Sequence, residues 1–126
     1  IVSLTTKISQ IKSVEKGESI GYSRNTIASK LTKIGIIPIG YADGFSRAFS
    51  NGKGTVIVNG KKASVIGNVC MDMTMIDLNG INAKVGDAVE IFGPQQSIDH
   101  LASSIDTIPY EILTSISERV TRIYKE

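Results

Sequence analysis

Histidine and cysteine, which carry much of the acid–base, nucleophilic and metal-binding chemistry of enzymes, are scarce in this 126-residue chain and form no familiar metal-binding or triad pattern. His100 is the only histidine and Cys70 the only cysteine. A structural zinc site needs about four such ligands at short spacing, and a serine hydrolase needs a histidine beside a strained Gly-x-Ser-x-Gly turn. We therefore expect no metal site, a surface or packing role for His100, and a small buried apolar side chain at Cys70.

Two further segments have compositions that could suggest chemistry, but their spacing does not support it. Residues 51–54 (Asn-Gly-Lys-Gly) lack the spacing and the Lys-Ser/Thr ending of a phosphate-binding loop, so we expect a flexible loop there. Met71, Met73 and Met75 alternate along the chain. Because alternate residues of a strand face the same side, these methionines are expected to fill the core.

Short β-branched runs separated by glycine dominate the chain and predict a mostly β domain. Leu4, Thr6, Ile8 and Gln10 are expected on one face of the first strand. Pro38 indicates an edge position or a bulge within its strand. Asn59-Gly60 tolerates the positive φ angles of a type I′ turn and therefore predicts a hairpin. The predicted strands cover residues 2–14, 19–22, 33–41, 55–58, 61–69, 73–78, 88–92 and 119–124.

Only the last third of the chain has helical signals. Ser97 can cap a short helix over residues 97–104. A second helix is predicted over residues 107–117, because Pro109 suits a first turn and Glu111 lies near the positive end of the helix dipole. The fold class predicted from the pattern is mostly β, a small barrel or sandwich with short helices in the C-terminal third.

Composition excludes several classes of protein. The chain is 41% hydrophobic and 21% charged, with a net charge of +2, so it has neither the basic footprint of a nucleic-acid-binding protein nor a disordered composition. It contains no apolar run of about 18 residues, as a membrane helix would require. A single cysteine gives no sign of an oxidising compartment. The N-terminus does not resemble a signal peptide and opens within a strand pattern, as a piece of a longer protein would.

Four segments of the sequence resemble the C-terminal domain of alanine racemases. They are GESIGY at residues 17–22, IGYADGFSR at 39–47, VIGNVCMD at 65–72, and TIPYE at 107–111 followed by Arg119-Val120. Their order and spacing are similar to those of the family, and together they extend over most of the chain. The resemblance implies that residues 1–126 form one C-terminal β domain, a small Greek-key-type β barrel with short helices in its C-terminal third.

The resemblance also implies an enzyme that this chain forms only in part. In the family, an N-terminal (β/α)₈ barrel carries pyridoxal 5′-phosphate on a lysine, and that barrel is absent from this chain. Two chains form a homodimer in which each active site combines one barrel with the β domain of the partner. The expected role is L- and D-alanine interconversion for cell-wall synthesis in the bacterial cytoplasm. The isolated domain is expected to be inactive and to contact neither nucleic acid nor membrane.

By position, Tyr22 matches the catalytic tyrosine of the family, which exchanges a proton on one face of the substrate. A free phenol has a pKa near 10, so the family's barrel must lower it for the tyrosine to act as a base. Met71 matches the residue whose backbone N–H binds the substrate carboxylate, and Asp72 would order the same loop. A tyrosine at a strand end with its hydroxyl in water is the alternative for Tyr22.

The remaining matches concern the entrance and the cofactor. Tyr41, Arg47 and Ile108 match residues that line a narrow substrate entrance, which would favour small amino acids by excluding volume. Tyr110 matches a tyrosine that hydrogen-bonds the cofactor phosphate. The alternative for Tyr110 is a place beside Leu113 on the apolar face of its helix.

Three positions depart from the commonest family pattern, namely Ser23, Asn25 and Asn68. They leave serine or another small amino acid open as a substrate. Another racemase or a decarboxylase of the same two-domain build is the alternative within pyridoxal-phosphate enzymes. A small β-barrel binding module is the alternative outside enzymes, and it would need a basic or aromatic face.

Overall fold

The computed structural model describes residues 3–20, 26–27, 31–117 and 120. Its strands are β1 (Leu4–Lys7), β2 (Gln10–Val14), β3 (Ser19–Ile20), β4 (Thr26–Ile27), β5 (Thr32–Ile37), β6 (Thr55–Val58), β7 (Lys61–Ile66), β8 (Thr74–Asp77) and β9 (Ala88–Phe92). Two 3₁₀ turns, Tyr41–Asp43 and Arg47–Phe49, precede β6, and two helices, α1 (Ile98–Ser103) and α2 (Pro109–Ser115), follow β9. The strand predicted over residues 119–124 lies outside the described residues, apart from Val120.

Seven strands form one antiparallel sheet in the order β1-β9-β6-β7-β8-β5-β2. The run β9-β6-β7-β8 is a Greek key, because three consecutive strands are followed by a fourth that returns beside the first. β1 and β2 lie at opposite ends of the sheet, yet only Ile8 and Ser9 separate them in sequence. The sheet must therefore curl until its ends meet, which confirms the predicted mostly β, Greek-key-type fold with late helices.

The crossing from β1 to β2 corrects one prediction. Leu4 and Thr6 are half-buried and Ile8 is buried, as the alternation predicts, but Gln10 is exposed and Ile11 is half-buried instead. The Ile8 N–H donates to the Asp87 carbonyl and the Ser9 N–H to the Ile36 carbonyl, so the chain changes its strand partner here. A one-residue shift in register reverses the two faces of a strand. The predicted alternation of buried and exposed residues was therefore wrong from Gln10 onward.

β5 ends at Ile37, earlier than the predicted boundary at Tyr41. Pro38 has no N–H to donate to a sheet and ends the pairing. The next residue, Ile39, is buried, and its carbonyl accepts a 2.6 Å hydrogen bond from the hydroxyl of Thr74 on β8. The end of β5 is thereby held against β8, and the chain leaves the sheet at Gly40.

The predicted hairpin and the predicted helix starts are confirmed, whereas the strand predicted over residues 61–69 ends at Ile66. Asn59 and Gly60 have φ angles of 50° and 79°, as a type I′ turn between β6 and β7 requires. The Ser97 hydroxyl accepts the His100 N–H at the start of α1, and Pro109 opens α2. Fully buried apolar side chains from the sheet, its connecting segments and α1 form the core, the largest being Phe49, Phe92, Ile8, Ile34, Ile37, Ile76, Leu78, Ile91 and Leu101.

Gln96 fixes the connection from β9 to α1. Its side chain is buried, accepts the Thr55 hydroxyl, and donates to the carbonyls of Thr55 and Ile91. The Glu90 carboxylate accepts the N–H groups of Gln95 and Gln96. A buried polar group is stabilising when it is fully hydrogen-bonded, so this network holds the chain in place directly before α1.

Within the described residues, no helix is both long and apolar enough to cross a membrane.

Candidate functional site

The predicted site residues that the structure describes gather at one end of the sheet, around the turn from Gly40 to Gly44, which we call the GYADG turn. The N–H of Tyr41 donates to the carbonyl of Cys70 at 3.0 Å, and the N–H of Ala42 donates to that of Met71 at 2.8 Å. The turn therefore lies directly on the loop that precedes β8. This contact joins two of the four motif segments, although about 30 residues separate them in sequence.

Both glycines of the GYADG turn are required by close approach. A Cβ at Gly40 would overlap the carbonyl oxygen of Cys70, and a Cβ at Gly44 would overlap that of Ser115 at the end of α2. Gly44 also has a φ of 104°, in the left-handed region that glycine adopts without cost. The Ser117 N–H donates to the carbonyl of Asp43 on the same side. The turn is thus packed between the 70–72 loop and α2.

Met71 and Asp72 are exposed in the loop before β8. The Met71 N–H has no hydrogen-bond partner in the part of the chain that the structure describes. Met71 is 54% exposed, Met73 is half-buried and only Met75 is buried within β8. The prediction that these three methionines share one face of a strand was therefore wrong, because β8 begins only at Thr74. The thiol of Cys70 is half-buried, less than expected.

Tyr41 and Arg47 lie together at the mouth of a cleft. The Arg47 guanidinium carbon is 5.9 Å from the centre of the Tyr41 ring, within the range of a cation–π contact. The cleft has a volume of about 300 Å³ and runs between the GYADG turn and α2. Its walls carry both apolar and charged groups: Tyr41, Gly44, Ser46, Arg47, Phe49, Ile105, Thr107, Glu111, Ile112 and Ser115.

Ile108 and Tyr110 project from the start of α2 beside this cleft. Ile108 is 61% exposed and Tyr110 is 71% exposed, and neither lines the cleft itself. Ile112 is the residue that α2 buries, so the alternative placing Tyr110 on the apolar face of the helix was wrong. The Tyr110 hydroxyl has no hydrogen-bond partner among the described residues and is available to a molecule or chain that approaches this end.

Tyr22, Ser23 and Asn25 lie outside the described residues. In sequence they stand between β3 and β4, which pair with Ser19 opposite Ile27. Asn68, the third departure from the family pattern, accepts a 3.2 Å hydrogen bond from the amide of Asn51. His100 is exposed, and the described residues contain no cluster of metal ligands.

Sequence reasoning missed several residues of this end. Asp43 is only 9% exposed, and its carboxylate accepts the Gly40 N–H at 3.0 Å. Its signal was present, since an acidic residue three positions after the start of a turn is the spacing of a capping box. Thr107 and Glu111 line the cleft through tertiary packing alone, and no spacing in the sequence indicates that they meet Tyr41 and Arg47.

Comparisons with known proteins agree over nearly the whole chain. Residues 1–124 match the family described as "Alanine racemase, C-terminal domain". The alanine racemase of Helicobacter pylori is 41% identical over 98% of this chain, and "Alanine racemase 2" of Caldanaerobacter subterraneus is 46% identical over 94%.

Solved structures agree in the same way. The alanine racemase of Bartonella henselae "with covalently bound pyridoxal phosphate" has a TM-score of 0.93 and 35% identity, covering 99% of this chain. The biosynthetic alanine racemase of Pseudomonas aeruginosa has a TM-score of 0.93 and 38% identity, covering 98%. The chain spans about a third of the length of these relatives. It belongs to the family of alanine racemase C-terminal domains.

Proposed function

We propose that residues 1–126 are the C-terminal β domain of a pyridoxal-phosphate-dependent alanine racemase that interconverts L- and D-alanine. The observation that carries this proposal is the family match over residues 1–124, with about 40% identity to bacterial alanine racemases. The domain would supply a tyrosine base and substrate contacts to an active site that it shares with a barrel domain. It would have no racemase activity alone.

The residues on this chain fit a peripheral contact to pyridoxal phosphate. The exposed Tyr110 hydroxyl can donate a hydrogen bond to a phosphate oxygen. No lysine lines the cleft within the described residues, so the lysine that binds the cofactor covalently would lie on the barrel domain. The cofactor, when bound, acts as an electron sink and acidifies the Cα–H of the substrate.

Racemisation needs one acid–base group on each face of that Cα, because the proton leaves from one face and returns to the other. Tyr22 would serve one face, with its hydroxyl oxygen taking or giving the proton. A neighbouring cation or hydrogen-bond donor must stabilise the phenolate for this to occur near neutral pH. The matching of the segment 17–22 to the family supports this assignment.

Met71 would hold the substrate carboxylate through its backbone N–H. That N–H has no partner in the described part of the chain, and it lies in an exposed loop beside the GYADG turn. A carboxylate is a strong acceptor and shortens a hydrogen bond to such a donor. Asp72 follows in the same loop and is exposed, so its carboxylate would face the same end of the domain.

Tyr41, Arg47 and Ile108 would form the substrate entrance, since the first two share the cleft and the third stands beside it. We expect Arg47→Ala to widen this entrance without unfolding the domain, because an exposed cation–π contact is worth only about 0.5–1 kcal/mol.

In the full-length enzyme the ratio of kcat/KM for serine to that for alanine should then rise about tenfold, a change typical of one pocket group. Arg122→Ala, a matched change at an arginine with no assigned role, should leave the ratio unchanged. An unchanged ratio in Arg47→Ala as well would remove Arg47 from the entrance.

The partner surface would be this same end of the domain. Its exposed apolar residues are Tyr41, Met71, Ile108, Tyr110 and Leu113. An exposed apolar group of this size marks a contact surface in soluble proteins. It would be covered by barrel domains in a homodimer, in which the β domain of one chain completes the active site of the other. The setting would be the bacterial cytoplasm, where D-alanine enters cell-wall synthesis.

The proposal is tested by expressing the full-length protein with its barrel and following L-alanine to D-alanine by chiral chromatography. With pyridoxal phosphate it should racemise alanine, whereas residues 1–126 alone should give no turnover above buffer. Serine serves as the second substrate and released carbon dioxide as the second product. Preferred turnover of serine would make this a broader racemase, and carbon dioxide release would make it a decarboxylase.

A further inference from the structure

We infer that Asp43 is a positioning residue for the substrate carboxylate, although it touches neither substrate nor cofactor. Through the GYADG turn it sets the direction in which the Met71 N–H points. This inference rests on the proposed function and adds a residue to the same site. It follows from five hydrogen bonds and the planarity of the peptide group.

The first step is the shape of the turn. The Asp43 carboxylate is buried and accepts the Gly40 N–H at 3.0 Å, while the Asp43 and Phe45 N–H groups return to the carbonyl of Gly40 at 3.0 and 3.1 Å. A carboxylate that accepts a backbone N–H forms one of the stronger hydrogen bonds in proteins. Asp43 therefore determines the backbone conformation of Gly40 at the start of the turn. It thereby also determines the directions of the next two N–H groups, those of Tyr41 and Ala42.

The second step is the contact with the neighbouring loop. The Tyr41 and Ala42 N–H groups donate to the carbonyls of Cys70 and Met71 at 3.0 and 2.8 Å. Gly40 comes so close to Cys70 that no side chain could stand between them. The turn and the loop thus form one rigid backbone contact, and a change in the turn must change the loop.

The third step is the peptide plane. In a trans peptide, the C=O of one residue and the N–H of the next point in opposite directions within one plane. Tyr41 fixes the carbonyl of Cys70, and it thereby fixes the N–H of Met71 on the other side of the same plane. Substrate binding then depends on the direction of the Met71 N–H. Asp43 sets this direction indirectly, through the backbone of the GYADG turn and its hydrogen bond to Cys70.

The chain contains a matched control in Asp87. Its carboxylate also accepts the N–H of the residue three positions earlier, Lys84, at 3.0 Å. It additionally accepts the amide of Asn59, and the hydrogen bonds from Asn59 and from Lys84 lower the pKa of Asp87 below the usual value of an aspartate. Asp87 lies in the turn before β9, and among the described residues it makes no hydrogen bond to the loop with Met71, so it shares the local geometry without the proposed consequence.

The test uses the full-length enzyme with pyridoxal phosphate, and propionate as a probe that carries the carboxylate and methyl group of alanine without the amino group. Asp43→Ala should raise the KM for alanine and the Ki for propionate together by about tenfold, with kcat changed less than about threefold. Asp43→Asn keeps an acceptor for the Gly40 N–H and should restore most of the affinity. Asp87→Ala should leave both constants at their wild-type values.

The outcomes separate this inference from the proposed function. A wild-type protein without alanine turnover overturns both. If the wild type racemises alanine, but Asp43→Ala binds propionate as the wild type does, the inference alone fails. It also fails if Asp87→Ala raises the Ki for propionate equally, or if Asp43→Asn binds propionate as weakly as Asp43→Ala does. Should Asp43→Ala not fold, Asp43→Glu takes its place, because it keeps the charge but displaces the acceptor by one methylene and should also raise Ki.

Discussion

Tyr22→Phe in the full-length enzyme should reduce racemisation of L-alanine by about 10²–10⁴-fold, the usual contribution of a positioned acid–base group. The substitution removes only the hydroxyl, so the cofactor should remain bound with an unchanged visible absorption spectrum. Deuterium exchange from solvent into Cα should become selective for one enantiomer. The reason is that the remaining base, on the other face of the substrate, can still exchange the proton that it reaches.

The control for this variant is Tyr124→Phe, the same chemical change at a tyrosine with no assigned role. It should retain wild-type rates in both directions. Racemisation that falls only a few-fold in Tyr22→Phe would show that Tyr22 is not the second base. The match of residues 17–22 to the family segment would then concern the β3–β4 hairpin alone, and the domain would contribute binding groups without a proton-transfer group.

The local features of the fold were predictable where one type of residue strongly favours a single backbone conformation. Asn59-Gly60 accepts positive φ, and Pro109 fits the first turn of a helix, so the hairpin and α2 were predicted correctly. Ser97 caps α1 for the same kind of reason. The error at Gln10 has another origin, since the change of partner at Ser9 depends on the whole sheet curling back on itself. No residue near Ser9 carries that information.

The residues of the site likewise include some that the sequence identified and some that it did not. Motifs identified Tyr41, Met71 and Tyr110, and the structure brings Tyr41 to the Met71 loop through two backbone hydrogen bonds. The exposure of Met71 could not be read from alternation, because the strand it was assigned to starts three residues later. Asp43 was overlooked although it lies three positions after Gly40, because its partner is the Gly40 N–H and the capping-box spacing is the one sign of that contact in the sequence.

Gly40→Ala should destabilise the domain by about 3 kcal/mol, at the upper end for an inserted methyl group in a packed site. The φ of Gly40 is −150°, which any residue adopts, so the cost is steric and not conformational. The new Cβ would overlap the backbone of Cys70 and Met71, and a backbone group cannot move aside as the end of a side chain can. The GYADG turn and the loop would have to separate, with loss of the hydrogen bonds from Tyr41 and Ala42.

The control is Gly80→Ala, because the steric cost is absent at Gly80 and the conformational cost is present, the opposite of the situation at Gly40. Gly80 has a φ of 78° but open space around it, so alanine there carries only the conformational cost of about 1–2 kcal/mol. Urea unfolding of both variants measures the difference, provided that the slope of the transition is unchanged. Equal midpoints would mean that the turn and the loop are not in close contact in solution. A lower midpoint for Gly40→Ala, together with a higher Ki for propionate in the full-length enzyme, would tie the stability of this contact to the substrate site.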